Sequence, residues 1–322
     1  MSRPRILLTR RWTDEVERHL AERYDLTRND ADVPLTADQL AAAMRDYDAV
    51  CPTVSDAVTA AVIEQPGRRA RILGNFGVGF NHIDIEAARR AGVAVTNTPD
   101  VLTDTTADLA ITLMLMVSRR ASEGERELRA GRWIGWRPTH LLGTDLTGRT
   151  LGLTGFGRIA QATARRAHHG FGMRIVYNSR RRVAADIEAQ CDARFIPEVD
   201  ALLAASDVVS LHCPGGAETH HLIDERRLAK MRDGAILVNT ARGPVIDEAA
   251  LVKALASGRL RAGLDVYERE PKLTPGLAEL ENVVLLPHLG SNTLETRTAM
   301  GMRVANNLER FFAGDTPPDR VA

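Results

Sequence analysis

The sequence predicts an α/β protein built as two Rossmann-like, doubly wound parallel-sheet domains with a cleft between them. Short apolar runs alternate with helical patterns along nearly all of the 322 residues, and that alternation implies parallel strands covered by helices on both faces. The length exceeds the usual size of one domain. One long apolar helix and a polar, tryptophan-bearing stretch interrupt the alternation and separate two such series.

Taken in order, "RILLT" reads as the first strand, Asp14 to Arg23 as a helix, "YDLT" as a strand, Ala37 to Arg45 as an Ala-rich helix and "DAVCPT" as a strand. "RILGNFGVG", "AARRAG" and "VAVTNTP" continue the series. From about Thr106, "TADLAITLMLMVSRR" forms a longer apolar helix, whose Met and Leu positions read as buried packing rather than a cofactor box. The polar segment from Gly131 to Gly148 follows. The second series, "TLGLTGFG", "MRIVYNS", "ARFI", "DVVSLHCP", "GAILVNTA", "AGLDVY" and "NVVLLPH", makes a complete doubly wound unit. "TLETRTAMGMRVANNLERFFAG" is an amphipathic helix that stops at Gly314.

Lys plus Arg and Asp plus Glu are 42 each, so no net field draws the chain to nucleic acid or to a membrane surface, and small molecules are the expected partners. Lys230, Lys253 and Lys272 are the only lysines, which leaves little scope for Schiff-base chemistry. Cys51, Cys191 and Cys213 have no metal-ligand spacing and suit reduced, buried thiols. The opening "MSRPRILLTRRW" is too short in its apolar part for a signal peptide, and no later segment is long and uncharged enough to span a bilayer. A cytoplasmic location is expected.

Gly155-Phe156-Gly157-Arg158-Ile159-Ala160 fits the dinucleotide fingerprint G-x-G-x-x-G/A, between a legible strand and a legible helix. The first glycine permits the tight turn. The second lets backbone N–H groups reach a pyrophosphate at the positive end of the helix. At the end of the second strand, where an NAD-binding unit carries Asp or Glu, this chain has Asn178, Ser179, Arg180, Arg181 and Arg182. Cationic forks suit a 2′-phosphate, so NADP(H) is the expected cofactor, with NAD(H) the lesser alternative.

Arg242, Glu270 and His288 each follow a predicted strand, where side chains line the ligand crevice of a doubly wound sheet. All three can face one cavity. The adjacent pairs His168-His169 and His220-His221 lack the spacing that aims two imidazoles at one metal, and read as surface or helix-end residues. No metal site is expected.

Through "TADLA", "GFGRIA", "LHCP", "NTARG", "LDVYEREP" and "LPHLGS", in that order, the chain resembles the D-isomer-specific 2-hydroxyacid dehydrogenases over essentially its whole length. Within that family it looks most like the glyoxylate/hydroxypyruvate reductases, through "TPDVLTDTTADLA" and "GRWIGWRPTHLLGTDLTGRTLG". The resemblance implies a catalytic set for 2-oxo acid reduction at Arg242, Glu270 and His288: Arg242 is the cation for the carboxylate, His288 the acid for the carbonyl oxygen and Glu270 the group that orients that acid. It implies substrate-carboxylate donors at the Val78 and Gly79 backbone, and cofactor contacts at Thr106, Cys213, Pro214, Thr240, Ala241, Asp265 and Gly290. It also implies a homodimer in which Trp136 reaches the partner's active site and narrows it for small substrates.

The expectation that follows is a discontinuous substrate-binding, flavodoxin-like domain of residues 1–98 plus 289–322 and a Rossmann coenzyme domain of residues 99–288. Its chemistry would be NADPH-dependent reduction of glyoxylate to glycolate and hydroxypyruvate to D-glycerate. The rival readings are a family enzyme for a bulkier 2-oxo acid and a non-catalytic nicotinamide-sensing protein.

Overall fold

The computed structural model describes residues 3–322. It divides into two compact units, the described residues up to 102 with 291–322, and residues 103–290. These boundaries lie a few residues beyond 98/99 and 288/289, because the long central helix starts at Thr103 and Gly290 is bonded into the second unit.

The first unit begins with β1 (Arg5–Leu8), α1 (Asp14–Arg23), β2 (Asp25–Arg28), α2 (Ala37–Asp46) and β3 (Ala49–Cys51). It continues with α3 (Ala60–Ile63), β4 (Ile72–Gly74), α4 (Ile85–Arg90) and β5 (Ala94–Thr96). The five strands are all parallel, in the order β2-β1-β3-β4-β5, the 2-1-3-4-5 order of flavodoxin-like sheets. Strands of three or four residues suffice because Ile6, Leu8, Val50, Ile72 and Leu73 are fully buried between covering helices. Local chemistry fixes the helix starts: Thr36 and Gln39 form a reciprocal capping box on α2, and Asp84 caps α4 through Ala87 N.

The second unit opens with α5 (Thr103–Ser118) and α6 (Ala121–Arg129). Then come β6 (Thr150–Thr154), α7 (Arg158–Phe171), β7 (Arg174–Asn178), α8 (Ala185–Ala189), β8 (Arg194–Phe195), α9 (Val199–Ala205) and β9 (Val208–Leu211). The remaining elements are α10 (Glu225–Leu228), β10 (Ile236–Asn239), α11 (Glu248–Ala256), β11 (Arg261–Leu264) and β12 (Val283–Leu285). The sheet runs β12-β11-β10-β9-β6-β7-β8, again all parallel. The last six strands, read backwards from β8, follow the dinucleotide-binding order 3-2-1-4-5-6. Ala107, Ala110, Leu113, Met114 and Val117 of α5 are buried, so its apolar positions are packing against α7, β10 and β11.

The chain returns to the first unit with α12 (Leu294–Ala313), which packs on α1 and β4. Thr293 caps its start, and Gly314, at φ 91°, ends it in the left-handed conformation. No helix among the described residues is long and apolar enough to cross a membrane.

Candidate active site

The strand order reverses at β6, which pairs with β7 on one side and β9 on the other, and ligand crevices of open α/β sheets form at such points. Gly155 follows β6 at φ 85°. A Cβ there would lie 2.8 Å from the His212 carbonyl and from Cys213 N, so only glycine lets the turn pass the segment after β9. Phe156 stacks on Tyr177 of β7 with ring centroids 4.0 Å apart. Gly157, the N-cap of α7, supplies no side-chain cap and has open space where a Cβ would stand. The first turn of α7, which contains Arg158 and Ile159, thus begins uncapped by its N-cap residue at the positive end of a four-turn helix. The hydroxyls of Thr154 and Thr240 are buried with no hydrogen-bond partner among the described residues. Cradle and orphaned polar atoms together fit a bound dinucleotide.

At the end of β7, Asn178 donates to the carbonyls of Ile196 and Pro197 and is committed to the β8 side. Arg182, part of the basic run, is also committed: its guanidinium forms a two-pronged pair with Glu188 at 2.9 and 2.8 Å. The Arg182 hydrogen bonds, then that of Tyr177, hold the Glu188 carboxyl at about 2. Ser179, Arg180 and Arg181 are not held by Glu188. The Ser179 hydroxyl donates to Arg181 O, and Arg180 is exposed, with Glu218 at 4.0 Å. In the segment after β9 the Cys213 thiol is pushed up to about 11 by burial, which makes it inert packing, and Pro214 O accepts the Thr219 hydroxyl.

Arg242, Glu270 and His288 come together beyond the carboxyl ends of β10, β11 and β12. Asn239 shapes the first of these turns by accepting from Ala241 N and donating to Arg242 O. Arg242 also donates to Ala241 O at 2.6 Å. Burial lowers its pKa and the Glu270 charge partly restores it, yet a guanidinium stays cationic. Glu270 accepts Tyr267 N with one oxygen and meets His288 Nδ1 at 2.9 Å with the other. Burial opposes its ionisation, but the His288 hydrogen bond and charge, Tyr267 N and Arg242 outweigh that, and its pKa is lowered. An ionised Glu270 can only accept, so Nδ1 carries the hydrogen and the other ring nitrogen is left for a ligand.

His288 has φ 56°, the left-handed region that a non-glycine residue enters at a cost. Asp265 holds it there. His288 N donates to Asp265 O, and the Asp265 carboxylate accepts Leu289 N at 2.6 Å and Gly290 N at 2.9 Å. The Thr106 hydroxyl closes the arrangement on Gly290 O at 2.9 Å. Burial pushes the Asp265 carboxyl up to about 6, against the pull of those hydrogen bonds and of His288. Asp265, Thr106 and Gly290, expected as cofactor contacts, are thus also the frame of the histidine. Each Asp265 oxygen keeps a second lone pair for a further donor.

Glu248 belongs to this group although nothing in the pattern of residues singles it out. It lies at the first position of α11, only 2% exposed, and accepts Glu268 N and the Thr274 hydroxyl. It fastens the loop that carries Glu270. Its signal in sequence, Asp-Glu at a helix start, is that of an ordinary surface cap.

Val78 and Gly79 belong to the first unit, where the carbonyls of residues 77 to 79 are all bonded to side chains or to Thr98 N. Trp136 is 82% exposed, in the stretch after α6, where Trp133, Ile134 and Leu142 are also exposed, as is Leu128 of α6. His168 and His169 are in the last turn of α7, as helix-end residues. His221 differs from the surface reading: it is half-buried and sits 3.1 Å from Glu268. His220, His221 and Glu268 offer ligand atoms within 4.8 Å of one another. The two rings are stacked, however, with centroids 4.0 Å apart and planes 26° from parallel, so their in-plane lone pairs run side by side instead of converging on one ion.

Residues 111–290 match the family model described as "D-isomer specific 2-hydroxyacid dehydrogenase, NAD binding domain". A glyoxylate reductase of Thermococcus onnurineus is 44% identical over 99% of this chain and 96% of its own length. Among solved structures, an NADPH-dependent glyoxylate/hydroxypyruvate reductase of Sinorhizobium meliloti, in complex with NADP and malonate, has a TM-score of 0.87 at 35% identity, covering 100% of this chain and 97% of that one. The holo form of D-mandelate dehydrogenase from Rhodotorula graminis has the same TM-score at 33% identity, covering 100% and 98%.

Proposed function

Because the chain belongs to the D-isomer-specific 2-hydroxyacid dehydrogenase family and is an NAD(P)-dependent oxidoreductase, we propose that it reduces glyoxylate to glycolate and hydroxypyruvate to D-glycerate with NADPH. The observation that carries the reading is the Glu270–His288 pair at 2.9 Å, with the Arg242 charge beside it, in the unit that holds the glycine turn. The names of the Thermococcus and Sinorhizobium relatives supply the substrates, and the Sinorhizobium enzyme's dependence on NADPH supplies the cofactor.

In this reading Arg242 binds the substrate carboxylate and polarises the carbonyl, with Val78 and Gly79 N–H as further carboxylate donors. His288 donates the proton that converts the carbonyl oxygen to hydroxyl, and Glu270 orients the ring and stabilises its cation. The bound nicotinamide supplies the hydride to the carbonyl carbon. Gly155, Gly157, Arg158 and Ile159 hold the pyrophosphate, while Ser179, Arg180 and Arg181 hold the 2′-phosphate. Cys213 and Pro214 flank the adenosine. Thr106, Thr240, Ala241, Asp265 and Gly290 flank the nicotinamide.

The unit of residues 103–290 serves as the coenzyme domain and the other unit as the substrate domain. The exposed apolar side chains of Leu128, Trp133, Ile134 and Leu142 form a homodimer contact through which Trp136 enters the partner's site. A second reading is a family enzyme for a bulkier 2-oxo acid, in which Trp136 does not close the site; the likeness to a D-mandelate dehydrogenase favours it.

The test is oxidation of NADPH and, separately, NADH with glyoxylate, hydroxypyruvate, pyruvate and phenylpyruvate. Rapid NADPH loss with the two small substrates is expected. Preference for NADH would overturn the 2′-phosphate assignment, and turnover of phenylpyruvate alone would favour the bulkier class.

A further inference from the structure

The loop of residues 77 to 79 is held from one side by side chains that its own sequence does not reveal as a set. Asn75, fully buried after β4, donates its amide nitrogen to Gly77 O at 3.0 Å and to Gly79 O at 3.1 Å. Asn97 donates to Val78 O at 2.9 Å, and Thr98 N to Gly77 O at 3.0 Å. In a trans peptide the C=O of one residue and the N–H of the next point in opposite directions. Tying three successive carbonyls therefore turns the N–H groups of Val78, Gly79 and Phe80 away from Asn75 and Asn97. None of the three donates to another group among the described residues. Three such N–H groups on consecutive residues form a nest for an anion.

The orientation of the Asn75 amide decides this arrangement. With its nitrogen engaged by two carbonyls, its oxygen must accept, and the donor is His82 Nε2 at 3.0 Å. A flipped amide would set its oxygen against two carbonyl oxygens and release the loop. His82 is half-buried and lies on the far side of the turn, where its own carbonyl accepts Val58 N.

We propose that His82 and Asn75 are positioning residues for substrate carboxylate binding: His82 locks the Asn75 amide, and the amide presents the Val78, Gly79 and Phe80 N–H groups to the carboxylate. This rests on the reading above that the loop holds the carboxylate of a 2-oxo acid. Neither side chain touches the substrate, so their effect falls on substrate affinity and not on the proton transfer.

The experiment compares His82→Leu, which loses the donor, with His82→Gln, whose amide nitrogen reaches the place of Nε2. His82→Leu leaves the oxygen of the buried Asn75 without its donor and should lower the melting temperature by a few degrees, and His82→Gln should restore it. Two quantities are read: KM for the best 2-oxo acid, and the dissociation constant of oxamate, an unreactive 2-oxo acid analogue, from the enzyme saturated with NADPH. His82→Leu should raise both about tenfold, with kcat and NADPH affinity within twofold of wild type, and His82→Gln should restore both. Unchanged oxamate binding in His82→Leu, a fall in kcat without a rise in KM, or a His82→Gln variant as impaired as the leucine would each overturn the proposal. Oxamate binding does not depend on which acid is reduced. A wild type that binds oxamate but does not reduce glyoxylate refutes the substrate reading alone, whereas one that binds no oxamate refutes the carboxylate loop itself.

Discussion

Gly243→Ala separates the geometry of the proposed catalytic group from its chemistry. A Cβ on Gly243 would fall well inside 3.0 Å of Tyr267 C, Tyr267 O and Glu268 N, closer than real Cβ contacts come. All three are backbone atoms, so no side-chain rotation relieves the overlap, and the 267–268 segment must move by about an ångström, with about 1–3 kcal/mol lost to overpacking. Tyr267 N is the donor to Glu270, and Glu270 sets His288, so that displacement passes to both members of the pair while Arg242, next to Gly243, moves the other way. A misplacement of about 1 Å costs on the order of 10²-fold in rate. The assay is kcat/KM for glyoxylate with NADPH, alongside a thermal melt and NADPH titration. The expected result is a loss near a hundredfold and a lowered melting point with cofactor binding retained. A variant within twofold of wild type in activity and unaltered in melting would refute the close approach of these two loops and the reasoning built on it.

Gly157→Ala is the counterpart, because nothing in the protein meets its Cβ and its φ of −76° suits any residue; melting should be unchanged while KM for NADPH rises at least tenfold, and an unchanged KM would remove the glycine from the pyrophosphate site. Ser179→Asp places a carboxylate beside Arg180 and should shift the NADPH/NADH ratio of kcat/KM toward NADH by about 10- to 100-fold, in keeping with about 1.4–3 kcal/mol for a charge-assisted contact; no shift would place the 2′-phosphate elsewhere. His288→Asn should lower kcat by roughly 10²–10⁴-fold with NADPH affinity intact, the usual worth of a general acid, and full turnover would sink the mechanism. Burial pushes the His212 imidazole down from 6.5 to about 4. The folded state then binds fewer protons than the unfolded one in that window, so stability is complete above about pH 6.5 and falls toward pH 4 by up to roughly 3 kcal/mol; urea midpoints at pH 7 and 4.5 should differ less in His212→Asn, and an equal difference would show that His212 does not carry this limb.

The fold is legible in the chain because its signals are local. Strand-helix alternation, the glycine turn before α7 and the Gly314 stop of α12 each depend on a few adjacent residues, and the structure has them where the pattern places them. The basic run after β7 is legible only as composition. Which of its arginines is available depends on Glu188, and Arg182 is taken by it. His221 has the pattern of a surface histidine, and only the folded chain brings Glu268, 47 residues later, beside it.

Residue order alone is enough to set the class of fold, the glycine turn and the succession of Arg242, Glu270 and His288 on neighbouring strands, since strand ends in a doubly wound sheet face one edge whatever the loops do. Which lone pairs and N–H groups are free is settled only when the chain is folded. The left-handed backbone of His288 is held by Asp265 and, through Gly290, by Thr106 at a separation of 184 residues. The Glu270 loop is held by Glu248, and the 77–79 loop by Asn75 and His82. Hydrogen-bond partners are chosen by distance and direction in space, and neither quantity is written in the spacing of residues along the chain.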